Sequence, residues 1–204
     1  MKKILFILLT ITLCFNTLNA QIDPRTPSKK EVEQHIEKYL APLPEEDGKV
    51  YLVREMQLPA NSNAEEVMKK LNAWFDRCMQ DEAIIKHIDV PSDQPNTIQH
   101  QVIHTITFKD ALLSLDQTEM TYVMTVTLKD NVVKLKMQHI SYKYNAENPD
   151  HKMLRYTAED HIADRVALNK KHNKLIKGYR KFRVKTVDLM DSYLDSLKGA
   201  FWIQ

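Results

Sequence analysis

Histidine is the residue type with the clearest capacity for metal chemistry in this chain, which contains eight of them. His100 and His104 fall on one face of a segment in which polar and apolar residues alternate. Four residues of extended chain, at roughly 3.3 Å each, place these side chains about 13 Å apart, too far for both to bind one ion. His139, from a neighbouring segment, would pair with only one of them. We therefore predict structural histidines, no metal site and no cofactor.

Cys78 and His87 are a conceivable pair of thiol nucleophile and base, but the position of Cys78 argues against that chemistry. Cys78 shares an apolar stripe at helical spacing with Leu71 and Trp74. Because a reactive thiol requires exposed, electropositive surroundings, we expect a small buried apolar residue instead. The chain has only three glycines and no G-x-S-x-G or H-E-x-x-H motif. Nucleotide-binding loops and the common hydrolase sites are therefore excluded, and we predict no catalytic residue.

A run of eight basic residues without an acidic one lies between Lys170 and Lys185. Such a run can make weak contact with anionic lipid head groups or acidic polysaccharide. The alternative, which we favour, is a solvated helix face whose charge is offset by acidic residues elsewhere. The run consists of Lys170, Lys171, Lys174, Lys177, Arg180, Lys181, Arg183 and Lys185.

Threonine-rich polar positions alternate with apolar ones and form the candidate ligand-binding surface. If helices cover only the apolar face of the sheet, the polar face stays open to a peptide or glycan, with two tyrosines as aromatic contacts. Ordinary solvent exposure of a one-sided sheet is the alternative interpretation. The candidate residues are Thr105, Thr107, Thr125, Thr127, Lys134, Lys136, Tyr142 and Tyr144.

Strands must position these candidate residues. Asp130 and Asn131 form a tight turn that predicts a hairpin. In the strand after this turn the bulky residues change face, which a bulge near Gln138 and His139 explains. Alternation of apolar and polar residues predicts strands at 49–59, 83–90, 97–109, 119–129 and 132–144.

Two capping boxes predict the first two helices. Ser28 followed by Glu31 opens a short helix over about 29–40, within a tail at 21–47 that we expect to lie outside the main fold. Ser62 followed by Glu65 opens the second helix, whose apolar stripe turns onto the sheet.

The C-terminal part of the chain returns to helical spacing. Thr157 is a weak cap for a helical stretch within an insertion or extension at 145–180. We expect Gly178 to break this stretch, and a final amphipathic helix ends near Gly199. The order strand, helix, four strands, helix predicts one α+β domain over 48–204, with an antiparallel sheet and helices packed on one face.

The N-terminus has the layout of a secretory signal peptide at 1–20. Lys2 and Lys3 precede an apolar run too short to span a bilayer, and cleavage is expected between Ala20 and Gln21. Cleavage takes two lysines from 29 basic residues and leaves 27, equal to the 27 acidic residues. A neutral chain argues against nucleic acid as a partner, because binding phosphates requires a basic excess. We predict an exported protein, periplasmic or secreted, without a transmembrane segment.

Three stretches carry a resemblance to a known family: VYLVREMQLPANSNAEEVMKKLNAWF, YVMTVTLKDNVVKLKMQHISYKY and VDLMDSYLDSLKGAF. They resemble a bacterial secreted family of unknown function with a TATA-box-binding-protein-like (TBP-like) fold, over about 48–144 and 180–201. The landmarks are the aromatic pair Trp74 and Phe75 and the hairpin residues Lys129 and Asp130. The resemblance implies a TBP-like strand order, but a shared fold does not transfer DNA binding to an exported, neutral chain.

The leading functional prediction is a non-catalytic module of the cell envelope that binds a protein, peptide or glycan. The open sheet face or the basic run would supply the contacts. The alternatives are a hydrolase-like enzyme built from scattered histidines and carboxylates, or a structural envelope component. A deep pocket lined by convergent titratable groups would favour the enzyme, and a shallow polar face would favour binding.

Overall fold

A computed structural model of the chain describes residues 27–111, 114–144 and 152–202, so the predicted signal peptide lies outside the described residues. The helices are α1 (Lys29–Gln34), α2 (Ile36–Leu40), α3 (Ala64–Cys78), α4 (Ala158–His161), α5 (Asp164–Ala167) and α6 (Lys177–Trp202). The strands are β1 (Glu45–Glu46), β2 (Lys49–Val50), β3 (Leu52–Gln57), β4 (Ile84–Asp89), β5 (Thr97–Ala111), β6 (Ser114–Lys129), β7 (Val132–Tyr144) and β8 (Leu154–Thr157).

Across the described ranges, the main sheet contains six strands, and every pairing among them is antiparallel. Its order is β3-β7-β6-β5-β4, and β8 pairs with the C-terminal end of β7. Asp130 and Asn131 connect β6 to β7 with positive φ angles of 50° and 60°, the left-handed conformation that a tight hairpin turn requires. The predicted hairpin and the predicted α+β class with its antiparallel sheet are confirmed.

Alternation along the central strands separates a helix-covered face from an open face. Tyr122, Met124 and Val126 of β6 are fully buried on the first face, whereas Thr125 and Thr127 on the second are half-buried. The helices α3 and α6 supply the apolar side chains that pack over the first face. Each large apolar side chain buried in this way contributes roughly 1.5–3 kcal/mol. Burial on one face only is the arrangement that the sequence predicts.

A β-bulge interrupts β7 where the sequence predicts one. Thr121 of β6 is paired with Ser141, and Val123 is paired with Gln138. Between these two pairs β7 contains one residue more than β6 does. His139 occupies this position with a φ of 55°, a conformation that residues other than glycine adopt uncommonly. The bulge shifts the alternation of β7, so that Ile140 and Tyr142 join Met137 on the helix-covered face.

The N-terminal helices are part of the core, and the expectation that they lie outside the main fold is wrong. The predicted capping box is present, since the Ser28 hydroxyl accepts from the Glu31 backbone at 3.2 Å and the Glu31 carboxylate accepts from the Ser28 backbone at 2.7 Å. His35 separates α1 from α2. Tyr39 of α2 is buried, and its hydroxyl donates to Asp188 of α6 at 2.8 Å.

The cap of α3 differs from the predicted capping box. Asn63 is the N-cap, and its Oδ1 accepts from the backbone of Glu65 at 2.9 Å and of Glu66 at 3.1 Å. The Ser62 hydroxyl instead donates to the Pro59 carbonyl at 2.8 Å. The predicted boundary is therefore displaced by one residue, because asparagine caps a helix at least as well as serine.

The segment at 145–180 is less helical than expected, and its first part, 145–151, lies outside the described residues. The sequence did not indicate β8, which extends the sheet beside β7. Thr157 caps α4 through the backbone of Asp160 at 3.3 Å, as predicted, but α4 and α5 have only four residues each. Gly178 does not break a helix, since it lies in the first turn of α6.

Candidate functional site

A groove runs across the open face of the main sheet, over β3, β7, β6 and β5, and has a volume of about 570 Å³. We call it the polar groove, because hydroxyl, amide and charged side chains form most of its lining. The lining residues are Glu55, Ser92, Gln94, Thr97, Gln99, Thr125, Thr127, Lys129, Asp130, Val132, Lys134, Lys136 and Gln138.

Strand register places the central polar side chains of the groove next to one another. Thr125 is paired with Lys136, and Thr127 is paired with both Lys134 and Thr97. The hydroxyls of Thr97 and Thr127 lie 3.3 Å apart. Cross-strand neighbours on one face are close enough to contact a single ligand together. The regular antiparallel pairing of β5, β6 and β7 therefore builds the groove floor.

The Thr125 hydroxyl lies buried in this floor and has no hydrogen-bond partner within the described part of the chain. A buried hydroxyl without a partner destabilises a protein by about 1–3 kcal/mol. Such unpaired groups are uncommon in folded proteins and are often found at functional positions. The floor of the groove thus contains a hydroxyl with which a bound ligand can form a hydrogen bond.

The lysines of the groove are held by partly exposed charge pairs. Lys134 Nζ lies 3.9 Å from Glu55, and Lys136 Nζ lies 3.0 Å from Glu46 and 4.4 Å from the ring centre of Tyr51. Exposed pairs of this kind contribute roughly 0–1 kcal/mol. Both ammonium groups can therefore exchange their carboxylate partners for an anionic ligand with little loss of stability.

Six of the eight predicted binding residues lie on the open face, and four of these line the polar groove. The four are Thr125, Thr127, Lys134 and Lys136. Thr105 and Thr107 lie farther along β5, outside the groove lining. The structure therefore brings together the four predicted residues on β6 and β7, and it places the two β5 threonines elsewhere on the open face.

The two predicted tyrosine contacts are wrong, because the bulge in β7 turns them to the helix-covered face. Tyr142 is 3% exposed, and its hydroxyl lies 2.6 Å from that of Thr186 in α6. Burial raises the pKa of Tyr142 above its ordinary value. Tyr144 is half-buried and donates to Asp116 at 2.7 Å. Neither ring can contact a ligand in the polar groove.

Sequence reasoning missed the groove residues that come from the loop before β5 and from the hairpin turn. Ser92 and Gln94 border the groove, and Asp130 lies at its other side. The segment at 91–96 connects the predicted strands at 83–90 and 97–109. Its composition carries no signal for the face of the sheet beside which it lies.

The basic run does not form one exposed surface, and Arg183 and Lys185 correct that prediction. Arg183 is 0% exposed and Lys185 is 2% exposed. The Arg183 guanidinium donates to the carbonyls of Tyr39 at 2.6 Å and Ala41 at 2.7 Å, and to the Asp164 carboxylate at 2.7 Å. A buried guanidinium is tolerated only with such complete pairing. Arg183 therefore attaches the N-terminal helices to α6.

Lys181 of the same run is also engaged within the protein. Its ammonium group lies 2.9 Å from Asp116 and 2.9 Å from the Tyr144 hydroxyl, and 4.6 Å from the ring centre of Phe108. The other basic residues of the run, from Lys170 to Arg180, are exposed or half-exposed. The preferred interpretation as a solvated face therefore holds only for the N-terminal part of the run.

A hydrogen-bonded chain of three buried side chains lies beneath α6. His104 Nδ1 is 3.2 Å from the Tyr122 hydroxyl, which is 2.7 Å from the Tyr193 hydroxyl. Burial lowers the pKa of His104 to about 4 and raises the pKa of Tyr193 above its ordinary value. The structural role predicted for His104 is confirmed. These groups lie on the opposite side of the sheet from the polar groove.

Cys78 is 0% exposed in α3, and the prediction of a buried apolar residue is confirmed. Burial raises the pKa of the Cys78 thiol to about 12. Because the thiolate is the nucleophilic form, a thiol with this pKa is unreactive at neutral pH.

His87, Asp89 and His100 come together at the edge of the sheet, a group that sequence reasoning missed. β4 pairs with β5 so that Asp89 lies directly opposite His100. Asp89 Oδ1 is 3.0 Å from His100 Nδ1. The available signal was the placement of His87 and Asp89 two residues apart on a predicted strand, which puts them on one face.

These features define an α+β protein whose single main sheet is covered by helices on one face and carries a polar groove on the other. Residues 55–143 match the family described as "Domain of unknown function (DUF4468) with TBP-like fold". Within the described residues, no helix combines the length and the apolar composition that crossing a membrane would need.

Two crystal structures are similar to most of this chain. A DUF4468 family protein from Bacteroides ovatus is 31% identical, with a TM-score of 0.72, over 82% of this chain and 95% of that one. A TBP-like protein from Parabacteroides distasonis is 24% identical, with a TM-score of 0.56, over 76% of this chain and 97% of that one. None of the curated proteins matches the chain. The chain belongs to the DUF4468 family, as the sequence resemblance implied.

Proposed function

We propose that this protein is a non-catalytic binding module that takes a polar ligand into the polar groove. The observation that carries the proposal is the groove itself, about 570 Å³ in volume and lined by hydroxyl, amide and ammonium groups on adjacent strands. A site on paired strands is positioned more rigidly than a site on loops. The groups in the groove are suited to hydrogen bonding and ion pairing.

The chemistry of the lining favours an extended peptide with an acidic side chain. Threonine hydroxyls and glutamine amides can donate to and accept from a peptide backbone. Lys134 and Lys136 are paired with carboxylates that are largely exposed, and they can bind a carboxylate of the ligand instead. None of the described lining residues is aromatic, so the groove offers no ring for stacking on a sugar. A glycan is therefore the second candidate ligand, which the experiment below also tests.

The positions of the groups with shifted pKa values favour binding over catalysis. His104, Cys78 and Tyr193 are buried beneath the helices, on the side of the sheet that the groove does not reach. An active site usually combines a cleft with titratable groups whose pKa values are perturbed. In this protein these two features lie on opposite faces of the sheet.

We also propose that the protein works outside the cytoplasm, in the bacterial envelope or beyond it. The support is the sequence pattern at 1–20, with two lysines, an apolar run and Ala20 before Gln21. Mass spectrometry of the protein expressed in a Bacteroides host tests this proposal. A mature N-terminus at Gln21 is expected, and an intact N-terminus in the cytoplasmic fraction would contradict it.

A library screen with two matched double variants tests the groove. The mature chain is applied to an acidic peptide library and to a glycan array, and the strongest ligand is titrated. Thr127→Val with Lys134→Ala alters the groove, and Thr105→Val with Lys143→Ala alters the same face outside it. We expect the first variant to weaken binding about 10- to 100-fold, through loss of a hydrogen bond and a charge pair. The second variant should bind as the wild type does.

Equal affinity of both double variants would refute the groove as the site. Strong binding to the glycan array alone would retain the groove and reject the peptide. Turnover of any ligand would reject the non-catalytic assignment.

A further inference from the structure

The side chains of His87, Asp89 and His100 form a compact group at the rim of the helix-covered face. One donor atom from each residue, a ring nitrogen of each histidine and a carboxylate oxygen of Asp89, lies within 4.8 Å of the other two. His87 and His100 have ring centres 5.6 Å apart. The group is separate from the polar groove, because His100 shares its face of β5 with the buried residue Val102.

We propose that this group is a binding site for one divalent transition-metal ion of the zinc type. Two imidazole nitrogens and one carboxylate are donors that zinc accepts in tetrahedral sites, whereas magnesium and calcium prefer oxygen donors alone. The fourth position falls to solvent or to an external ligand, because His87 and Asp89 are exposed. The proposal is independent of the function assigned to the polar groove.

The distances need only a small adjustment to enclose an ion. Donor atoms about 2.1 Å from a tetrahedral ion stand roughly 3.4 Å from one another. The pair between Asp89 and His100, at 3.0 Å, is already near this spacing. The widest separation, 4.8 Å at most, closes by about 1.4 Å when an exposed side chain rotates among its usual rotamers. His87 and Asp89 are free to rotate in this way, since both project from the exposed edge strand β4.

His100 is already held in place for this role. Its ring centre lies 4.5 Å from that of Phe75 in α3, which restricts its rotation. Its Nδ1 atom is buried and makes no hydrogen bond to any residue that the structure describes, although the Asp89 carboxylate is 3.0 Å away. Asp76 of α3 also acts electrostatically on His100 and adds negative charge on that side. A bound cation would therefore use an unpaired nitrogen and gain from a second carboxylate.

Zinc titration of the untagged mature chain by isothermal calorimetry tests the proposal. We expect one ion per chain. His87→Ala and Asp89→Asn should each weaken binding by at least about 10-fold, the loss usual even for supporting partners of a metal site. Both substitutions are at exposed positions, so the fold should remain intact, which circular dichroism verifies. His35→Ala and Asp93→Asn are the matched controls, and they should leave the affinity unchanged.

A second readout is the visible absorption of bound cobalt, which is intense only in tetrahedral coordination. Wild-type protein should show these bands, and the His87→Ala variant should lose them. The proposal is overturned if the wild type binds no zinc, or if the site variants and the controls have the same affinity. It is equally overturned if magnesium competes with zinc at comparable concentration.

Discussion

His104 makes the stability of this protein depend on pH, and the effect can be calculated from its burial. The side chain is 0% exposed, and desolvation lowers its pKa to about 4. The nearby Asp81 carboxylate opposes this shift, and Lys185 reinforces it. In the unfolded chain the imidazole titrates near its ordinary pKa of about 6.5. The unfolded state therefore binds more protons between these two values, and the folded state loses stability as the pH falls through them.

The magnitude follows from the two pKa values. The contribution of His104 is fully present above about pH 6.5 and falls as the solution becomes more acidic. Between about pH 7.5 and about pH 5, the loss in the free energy of unfolding is about 2 kcal/mol, and it approaches about 3 kcal/mol near pH 4. His104→Asn removes the titration while it keeps a polar group that can reach the Tyr122 hydroxyl.

Urea denaturation of the protein, followed by the fluorescence of buried Trp74, measures this contribution over the same pH range. The wild type should lose about 2 kcal/mol more than His104→Asn between about pH 7.5 and about pH 5. Other histidines titrate equally in both proteins and cancel in the comparison. His35→Asn, at an exposed position, should retain the wild-type pH dependence. Parallel pH profiles for the wild type and His104→Asn would refute the reasoning.

Three further substitutions have defined outcomes in urea denaturation near neutral pH. Arg183→Met should lower the free energy of unfolding by about 3–5 kcal/mol, because it leaves buried carbonyls unpaired and removes the cation beside Asp164, whereas Lys171→Met should change little. Trp74→Ala should lower it by about 3–5 kcal/mol through the cavity that it leaves, and a similar loss for the exposed Trp202→Ala would contradict this account. Thr125→Val should raise it by about 1 kcal/mol, because an unpaired buried hydroxyl disappears; a loss of that size would show that the hydroxyl has a partner.

The long strands and the bulge were predictable because they depend on local alternation, and the hairpin was predictable from the turn residues Asp130 and Asn131. A period of two along a strand decides which side chains face the core, and the change of period at Gln138 and His139 was visible in the sequence. Half of the proposed binding residues were predictable for the same reason. Tyr142 and Tyr144 were predicted on the wrong face. The bulge at His139 changes the face that every later residue of β7 occupies.

The features that the sequence did not reveal depend on contacts between distant residues. Arg183 looks like part of a solvated basic run, and its partners Tyr39 and Ala41 lie 144 and 142 residues away. Composition alone does not distinguish a buried guanidinium from an exposed one. The trio of His87, Asp89 and His100 likewise requires the register of β4 against β5, which no local pattern specifies.

The bulge in β7 marks a position at which the length of the chain can change without disturbing the sheet. If His139 were deleted, Gln138 would be followed by Ile140, and regular alternation would keep both on their present faces. A deletion two or three residues earlier, such as loss of Lys136, would instead turn Met137 out of the core. Relatives of this chain should therefore tolerate insertions and deletions at this one position of the strand and resist them at its neighbours.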